Sequence, residues 1–252
     1  MTTFRLSASE FKATMAFISG EDALATQDGT APFEGVNFAY AYLSGANLEG
    51  VSLSGVNLSG ADLTYAILTY AILTGAILTG ADLSQSRLRG ADLTGADLTQ
   101  ANLMDANLEY AILMGANLED TNLRGANLED AILMGANLRG ANLEDARLVD
   151  TNLRGANLED AILCNANLRG ANLSGAKGIA AIYLPGMSTR TEDAFLYAVA
   201  GETAMFKAGC FWGTEAELRA KVLQEKGESK SARLYLAAID LAIMALEADG
   251  AK

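Results

Sequence analysis

A leucine occupies every fifth position from Leu43 to Leu173, 27 times without interruption, and Phe33 and Phe38 precede the series in the same phase. Five residues advance an α-helix by about 500°, so leucines at this spacing would wind around a helix and define no face. On a flat strand, an odd spacing would send successive leucines to opposite faces. The period therefore excludes both regular elements and requires a backbone that bends once in every repeat.

The four positions between the leucines have preferences of their own. A small residue lies two positions before each leucine, Asn or Asp usually lies between them, and two polar or glycine residues follow, as in the unit Ala46-Asn47-Leu48-Glu49-Gly50. The small residue and the leucine share one face of a short extended segment because they are two apart. Glycine permits a tight corner. Repeated bending in one sense predicts a parallel β-solenoid with leucine and alanine inside.

The motif A-(N/D)-L-x-x resembles the repeats of the pentapeptide-repeat family, and the match covers residues 31–176. The resemblance implies a mainly β protein: a right-handed, quadrilateral parallel β-helix with four pentapeptides, or 20 residues, in each coil. The repeats would then form about seven coils, roughly 34 Å long at a strand spacing of about 4.8 Å.

Different sequences flank the repeats and predict caps, because a solenoid exposes strand edges and its apolar axis at both ends. Residues 1–30 are predicted to form an N-terminal cap with a short helix, which begins at a capping box of Ser7 and Glu10. Residues 177–252 are predicted to form a small α+β module.

The C-terminal module is predicted to contain a β-hairpin and two helices. The strands are expected at 195–200 and 203–208, joined by the tight turn Gly201-Glu202. Thr214 and Glu217 form a capping box for the first helix. The second helix is expected at about 230–247, and its apolar run predicts that it is buried. The segment 207–214 resembles a small C-terminal module of bacterial and phage proteins, for which no activity is known.

The formal net charge is −13, and residues 31–176 hold 17 acidic and 7 basic residues, all of the latter Arg. Such a surface repels nucleic acid and anionic membranes and suits basic partners, although it also serves solubility. If residues 20 apart stack, Glu119 and Arg139 lie side by side, as do Arg124 and Glu144. Other carboxylates are expected to stack without a cation, as Glu109 does with Glu129.

An apolar group replaces the outward polar residues in some repeats, and in a 20-residue coil its members lie in register. The predicted interaction patch consists of Tyr70, Ile72, Tyr110, Ile112, Met114, Ile132 and Met134. Large apolar side chains facing solvent favour a contact surface, covered by the C-terminal segment, a second copy or a distinct partner. Drift is the alternative, because residues 120–133 recur unchanged at 150–163, on what would be the opposite face.

The sequence lacks the groups of common enzymes. Histidine is absent, and with it every histidine-based catalytic group and metal ligand. No phosphate-binding glycine loop occurs, and Cys164 and Cys210 are too few for a disulfide framework, which fits a reducing compartment. No catalytic residue, metal site or cofactor is predicted. Without a secretory signal or a span of sufficient length, the cytoplasm is expected, with no membrane contact.

These observations predict a non-enzymatic structural or protein-interaction scaffold with a C-terminal docking or oligomerisation module. Its expected partners are a protein or a second copy, with no direct nucleic-acid binding and no small-molecule substrate. The family resemblance supplies an alternative, because some members mimic duplex DNA, dimerise through their C-terminal ends and modulate type II topoisomerases such as gyrase. An enzyme with its active site in the C-terminal module is the third class considered.

Overall fold

The computed structural model describes residues 37–183, 195–199, 205–208 and 211–250. Residues 37–177 form a solenoid in which parallel bridges join residues 20 apart, from Asn37 with Asn57 to Asn157 with Lys177. A turn follows each bridge, so a coil has four sides and contains four pentapeptides. The 20-residue coil implied by the family resemblance is therefore confirmed.

The leucines fill the axis of the solenoid. Every leucine of the series from Leu43 to Leu168 is buried, and Leu173, in the last coil, is partly buried. The small residues two positions earlier are buried beside them with few exceptions, which confirms the predicted inward pair. Burial of each leucine contributes about 1.5–3 kcal/mol before chain entropy is subtracted, so the axis is the main source of stability.

A hydroxyl replaces the small apolar residue at a few inward positions. Ser86, Thr121 and Thr151 are buried there, and their hydroxyls donate to the main-chain carbonyls of Leu83, Leu98 and Leu128 at 2.6, 2.8 and 2.9 Å. Each buried hydroxyl is thus hydrogen-bonded, so these substitutions cost the core little.

Each corner is a β-turn that starts at the leucine. The amide of Ala46 donates to the carbonyl of Leu43 at 2.9 Å, and the later repeats follow the same pattern. The third turn residue has positive φ at every corner from Tyr40 to Gly175, whereas the second does not, which defines a type II turn. Glycine adopts this conformation at no steric cost, so its frequency here has the predicted cause.

The C-terminal residues form a four-stranded antiparallel sheet with two helices. The strands are β1 (Ile179–Tyr183), β2 (Phe195–Val199), β3 (Met205–Ala208) and β4 (Phe211–Thr214), paired in the order β1-β2-β3-β4. β2 and β3 are the two expected strands, whereas β1 and β4 were not predicted. The expected turn at Gly201-Glu202 lies outside the described residues, as does the proposed N-terminal cap.

The helices are α1 (Glu215–Lys226) and α2 (Lys230–Gly250). α1 packs on β3 and β4, and α2 packs on β1, β2 and α1. The capping box of Thr214 and Glu217 is present, as predicted. No helix in the described part of the chain is long and apolar enough to cross a membrane.

The prediction that α2 is buried was wrong. One face of α2 is buried, but Leu234, Leu241 and Met244 are 48%, 57% and 63% exposed. The physical reason is that the sheet and α1 cover only one side of α2, whereas its apolar residues extend over most of its circumference.

Candidate interaction surface

The central part of the predicted patch is continuous across two coils of one side of the solenoid. Ile112 pairs with Ile132 through a parallel bridge, and Met114 and Met134 follow two residues later in the same two coils. Both isoleucines are half-buried, whereas Met114 and Met134 are 37% and 36% exposed. Tyr110 lies at the corner that precedes Ile112 and is also exposed. We call these five residues the apolar patch.

The other two predicted residues lie apart from the apolar patch. Ile72 pairs with Asp92, and Asp92 pairs with Ile112, so a charged residue separates the isoleucines. Tyr70 is linked to the patch through Arg89, whose Nη1 donates to the Tyr70 hydroxyl at 3.4 Å. The Arg89 guanidinium carbon lies 5.2 Å from the ring centroid of Tyr110. Tyr70 and Ile72 therefore lie in the same columns as Tyr110 and Ile112, two coils earlier, where the sequence placed them.

The isoleucines of the patch replace residues that stabilise the corner. In every described repeat with Asn or Asp before the leucine, the side-chain oxygen accepts a hydrogen bond from the amide two residues later, as Asn137 Oδ1 does from Arg139 N at 3.3 Å and Asn152 Oδ1 from Arg154 N at 3.1 Å. Such Asx turns fix the local backbone. Isoleucine cannot accept this bond, so Ile112 and Ile132 forgo a local stabilising interaction and expose apolar surface instead.

An acidic edge borders the apolar patch. Asp130 and Asp150 follow Tyr110 at the same corner in the next two coils, both exposed, and neither forms an ion pair with another described residue. The negative charge of Asp130, and then that of Glu109, raises the pKa of the Tyr110 hydroxyl above its ordinary value. Two carboxylates without an ion-pair partner among the described residues therefore lie along one side of the patch, while Arg89 lies beside Tyr110.

Carboxylates elsewhere on the solenoid are neutralised by arginine. The predicted neighbours Glu119 and Arg139 form an ion pair at 2.6 Å, and Arg124 and Glu144 form one at 3.5 Å. The expectation that Glu109 and Glu129 lack a cation was wrong. Arg89 contacts Glu109 at 3.3 Å, and Arg147 contacts Glu129 at 2.7 Å.

The sequence interpretation overlooked other outward apolar residues. Two of them, Tyr40 and Tyr65, stand at corners, and three stand where most repeats have Asn or Asp, namely Tyr42, Ile77 and Ile162; all are exposed. The last three could have been found from the sequence, because each is a large apolar residue between the small residue and the leucine. Among the described residues, no group of three or more acidic or sulfur-containing side chains could hold a metal ion.

The 20-residue coil, the leucine axis and the type II corners define the class: a four-sided β-solenoid built from pentapeptides. A family model for pentapeptide repeats matches eight copies between residues 32 and 177, more than half of the chain. The chain belongs to this family.

Solved structures of pentapeptide repeat proteins are similar to this chain. HetL, which is involved in heterocyst differentiation regulation in the cyanobacterium Nostoc sp. strain PCC 7120, is 27% identical, with 68% of this chain and 97% of HetL covered and a TM-score of 0.24. QnrB1, a plasmid-mediated fluoroquinolone resistance protein, is 26% identical over 56% of this chain and 78% of its own, with a TM-score of 0.31. A protein of the Arabidopsis thaliana thylakoid lumen is 37% identical over 39% of this chain and 66% of its own, with a TM-score of 0.22. No curated protein matches significantly.

Proposed function

We propose that this protein is a non-enzymatic scaffold: a right-handed β-helical rod of about seven coils that binds a partner protein through the apolar patch. One observation carries the proposal. Ile112 and Ile132 stand in adjacent coils at positions where Asn would form a corner hydrogen bond, and Met114 and Met134 are exposed beside them. The isoleucines lose a stabilising hydrogen bond and expose apolar surface, so they do not serve the stability of the fold, and binding of a partner protein accounts for them better.

The dimensions and charge of the patch favour a particular partner. Two coils span about 10 Å along the axis, which fits a short segment with one or two apolar side chains rather than the face of a domain. Asp130 and Asp150 along one side favour Lys or Arg next to those apolar residues. The partner would therefore be a basic, partly apolar segment of another protein.

The test compares the native chain with the double variant Ile112→Asn/Ile132→Asn. The variant restores the corner hydrogen bond and removes apolar surface, so we expect a melting temperature equal to or above that of the native chain. Ile77→Asn is the matched control, because Ile77 stands at the same repeat position on another side of the solenoid and is exposed.

Partners would be captured from lysate of the source organism, identified, purified and titrated against each chain. Loss of affinity by tenfold or more in the double variant, with the Ile77→Asn affinity unchanged, would support the proposal. Equal affinity for the native chain and the double variant would contradict it.

A DNA-mimicking modulator of gyrase is the alternative function. The excess of acidic residues in 31–176 favours it, whereas the ion pairs of Glu119 with Arg139 and Glu129 with Arg147 count against it, because a mimic requires rows of unpaired carboxylates. A gyrase supercoiling assay distinguishes the two functions. If neither supercoiling nor quinolone sensitivity changes at micromolar protein, the alternative is eliminated.

A further inference from the structure

One corner of the solenoid carries tyrosines and aspartates in a single line. The third turn residues of this corner, in five consecutive coils, are Tyr70, Gly90, Tyr110, Asp130 and Asp150. The corners stack directly, because the amide of Tyr70 donates to the carbonyl of Arg89 in the next coil at 3.0 Å, and the later coils follow the same pattern. At about 4.8 Å per coil, Tyr70 and Tyr110 are about 9.6 Å apart along the axis, as are Tyr110 and Asp150. We call these five residues the corner line.

The solenoid holds both tyrosine rings of the corner line in place. A Cβ on Gly90 would lie 2.5 Å from Cε1 of Tyr70, so the Tyr70 ring occupies the space that a side chain there would fill. Arg89 is hydrogen-bonded to the Tyr70 hydroxyl and lies 5.2 Å from the ring centroid of Tyr110. An ion pair with Glu109 at 3.3 Å balances the charge of Arg89. Since the rings are still 57% and 48% exposed, they are both preorganised and accessible, which lowers the entropic cost of binding.

The spacing of the corner line matches that of a polyproline II helix. Such a helix has three residues per turn and rises about 3.1 Å per residue, so residues three apart face the same side at about 9.3 Å. In an extended strand, residues on one face are about 6.6 or 13 Å apart, which does not match the two tyrosines. An α-helix repeats over about 10.5 Å in seven residues, but it is about 10 Å wide and requires a groove, whereas a corner of a four-sided solenoid is convex.

We propose that the corner line binds a polyproline II segment of a partner protein, in which two prolines three residues apart are followed, after three more residues, by Lys or Arg. The prolines pack on the rings of Tyr70 and Tyr110, and the basic side chain lies beside Asp150, which forms no ion pair with a described residue. The carbonyls of a polyproline II segment have no internal partner, so the Tyr70 hydroxyl, which accepts from Arg89, can donate to one of them. The inference rests on the proposed function, because Tyr110 belongs to the apolar patch, and it specifies the class of partner.

The first experiment titrates the full chain against the fluorescent peptide Pro-Pro-Ala-Pro-Pro-Ala-Arg and its reversed sequence, since the spacing is the same in either chain direction, and follows the anisotropy. Tyr70→Gly and Tyr110→Gly are the disrupting variants, because glycine occupies many other corners and adopts positive φ without strain. Tyr65→Gly is the matched control. Tyr65 has the same φ of +57° as Tyr70 and is 60% exposed, but the residue two coils later at its corner is Asp105. We expect at least tenfold weaker binding to each disrupting variant and unchanged binding to the control.

The second experiment tests the register of the contact. The peptide Pro-Pro-Ala-Pro-Pro-Arg-Ala has the same composition and charge, but its arginine is shifted by one residue and therefore turned by about 120° around the helix. The native chain should bind it at least tenfold more weakly than the first peptide, and Asp150→Asn should remove this preference. Equal affinity for the two peptides would show only the attraction of an acidic solenoid for a basic peptide and would overturn the proposal.

Two other results would also overturn it: no binding of either orientation at about 1 mM peptide, or unchanged affinity in Tyr70→Gly. The partner protein captured from lysate is tested with Ile112→Asn/Ile132→Asn and without these peptides. Failure of the peptides would therefore leave that result intact. Conversely, peptide binding that depends on Tyr70 would persist if the double variant still bound the captured partner, so the two failures are distinguishable.

Discussion

Gly178 connects the last bridge of the solenoid to β1, and replacing it with alanine should open the end of the solenoid. Its φ is +72°, and it lies against the backbone of the preceding coil. A Cβ at this position would lie 2.5 Å from the Cα of Glu159 and 2.7 Å from the carbonyl carbon of Leu158. Backbone atoms cannot rotate away, so the chain after Lys177 would have to move.

Gly175→Ala supplies a matched control three residues earlier. Gly175 has a φ of +68°, and a Cβ there would meet no atom within 4 Å. Both substitutions cost about 1 kcal/mol for placing alanine in the left-handed region. Only Gly178→Ala adds steric overlap, which costs about 1–3 kcal/mol more in tightly packed sites.

Hydrogen exchange measures this difference where it arises. The amide of Leu158 donates to the carbonyl of Lys177, and the amide of Lys177 donates to the carbonyl of Ala156, both at 2.9 Å. We expect exchange of these two amides to be about 5- to 150-fold faster in Gly178→Ala than in Gly175→Ala. Equal exchange in the two variants would refute the inference that backbone overlap, rather than φ, makes glycine necessary here.

Three further outcomes are expected. Leu108→Lys should lower the free energy of unfolding by at least about 3 kcal/mol, because Leu108 is fully buried. Glu109→Lys should lower it by less than about 1 kcal/mol, because Glu109 forms only a surface ion pair with Arg89. Equal melting temperatures of the two variants would contradict the assignment of Leu108 to the inside and Glu109 to the outside. Asp130→Asn should lower the pKa of Tyr110, since the Asp130 charge is the main cause that raises it; an NMR titration showing no change would count against this contact. Hydrogen bonds from the backbone and then from the hydroxyl of Thr214 hold the pKa of Glu217 below its ordinary value of 4.5. The ionised Glu217 therefore stabilises the folded chain above pH 4.5, and this stabilisation is lost as the pH falls through the lower pKa of the folded state. The difference in melting temperature between the native chain and Glu217→Ala should therefore shrink below about pH 4.5, and a constant difference would argue against it.

The solenoid could be predicted because its defining interaction is repeated. Each repeat has one inward leucine, so the chain must bend once every five residues, and the leucines from Leu43 to Leu168 are all buried as this bending requires. β1 (Ile179–Tyr183) and β4 (Phe211–Thr214) were not predicted although they are as long as β2 and β3, because the hairpin signal Gly201-Glu202 indicated only β2 and β3. They are strands because β2 and β3 lie beside them, and pairing of this kind is decided by tertiary context.

Surface pairing was predicted for only some of the ion pairs. Glu119 and Arg139 are 20 residues apart and were found, whereas Arg89 and Glu109 have the same spacing but were overlooked. Glu129 and Arg147 are 18 apart and were missed for a geometric reason. Arg147 precedes its leucine and Glu129 follows its own, so the two side chains meet diagonally across adjacent coils. A long arginine side chain can span that diagonal, and columns of equal position do not reveal it.

The 20-residue coil decides what an internal duplication does to the molecule. The sequence AILMGANL occurs at 111–118 and again at 131–138, one full coil later, so Ile132 lies directly beside Ile112 and the copy widens the existing surface. The duplicate of 120–133 at 150–163 is one and a half coils away and repeats its features on the opposite side. Insertion of a whole coil would lengthen every side in phase, whereas insertion of half a coil would rotate everything beyond it by 180°. The same short sequence can thus enlarge a surface or supply the rod with a second one, depending only on the length of the step.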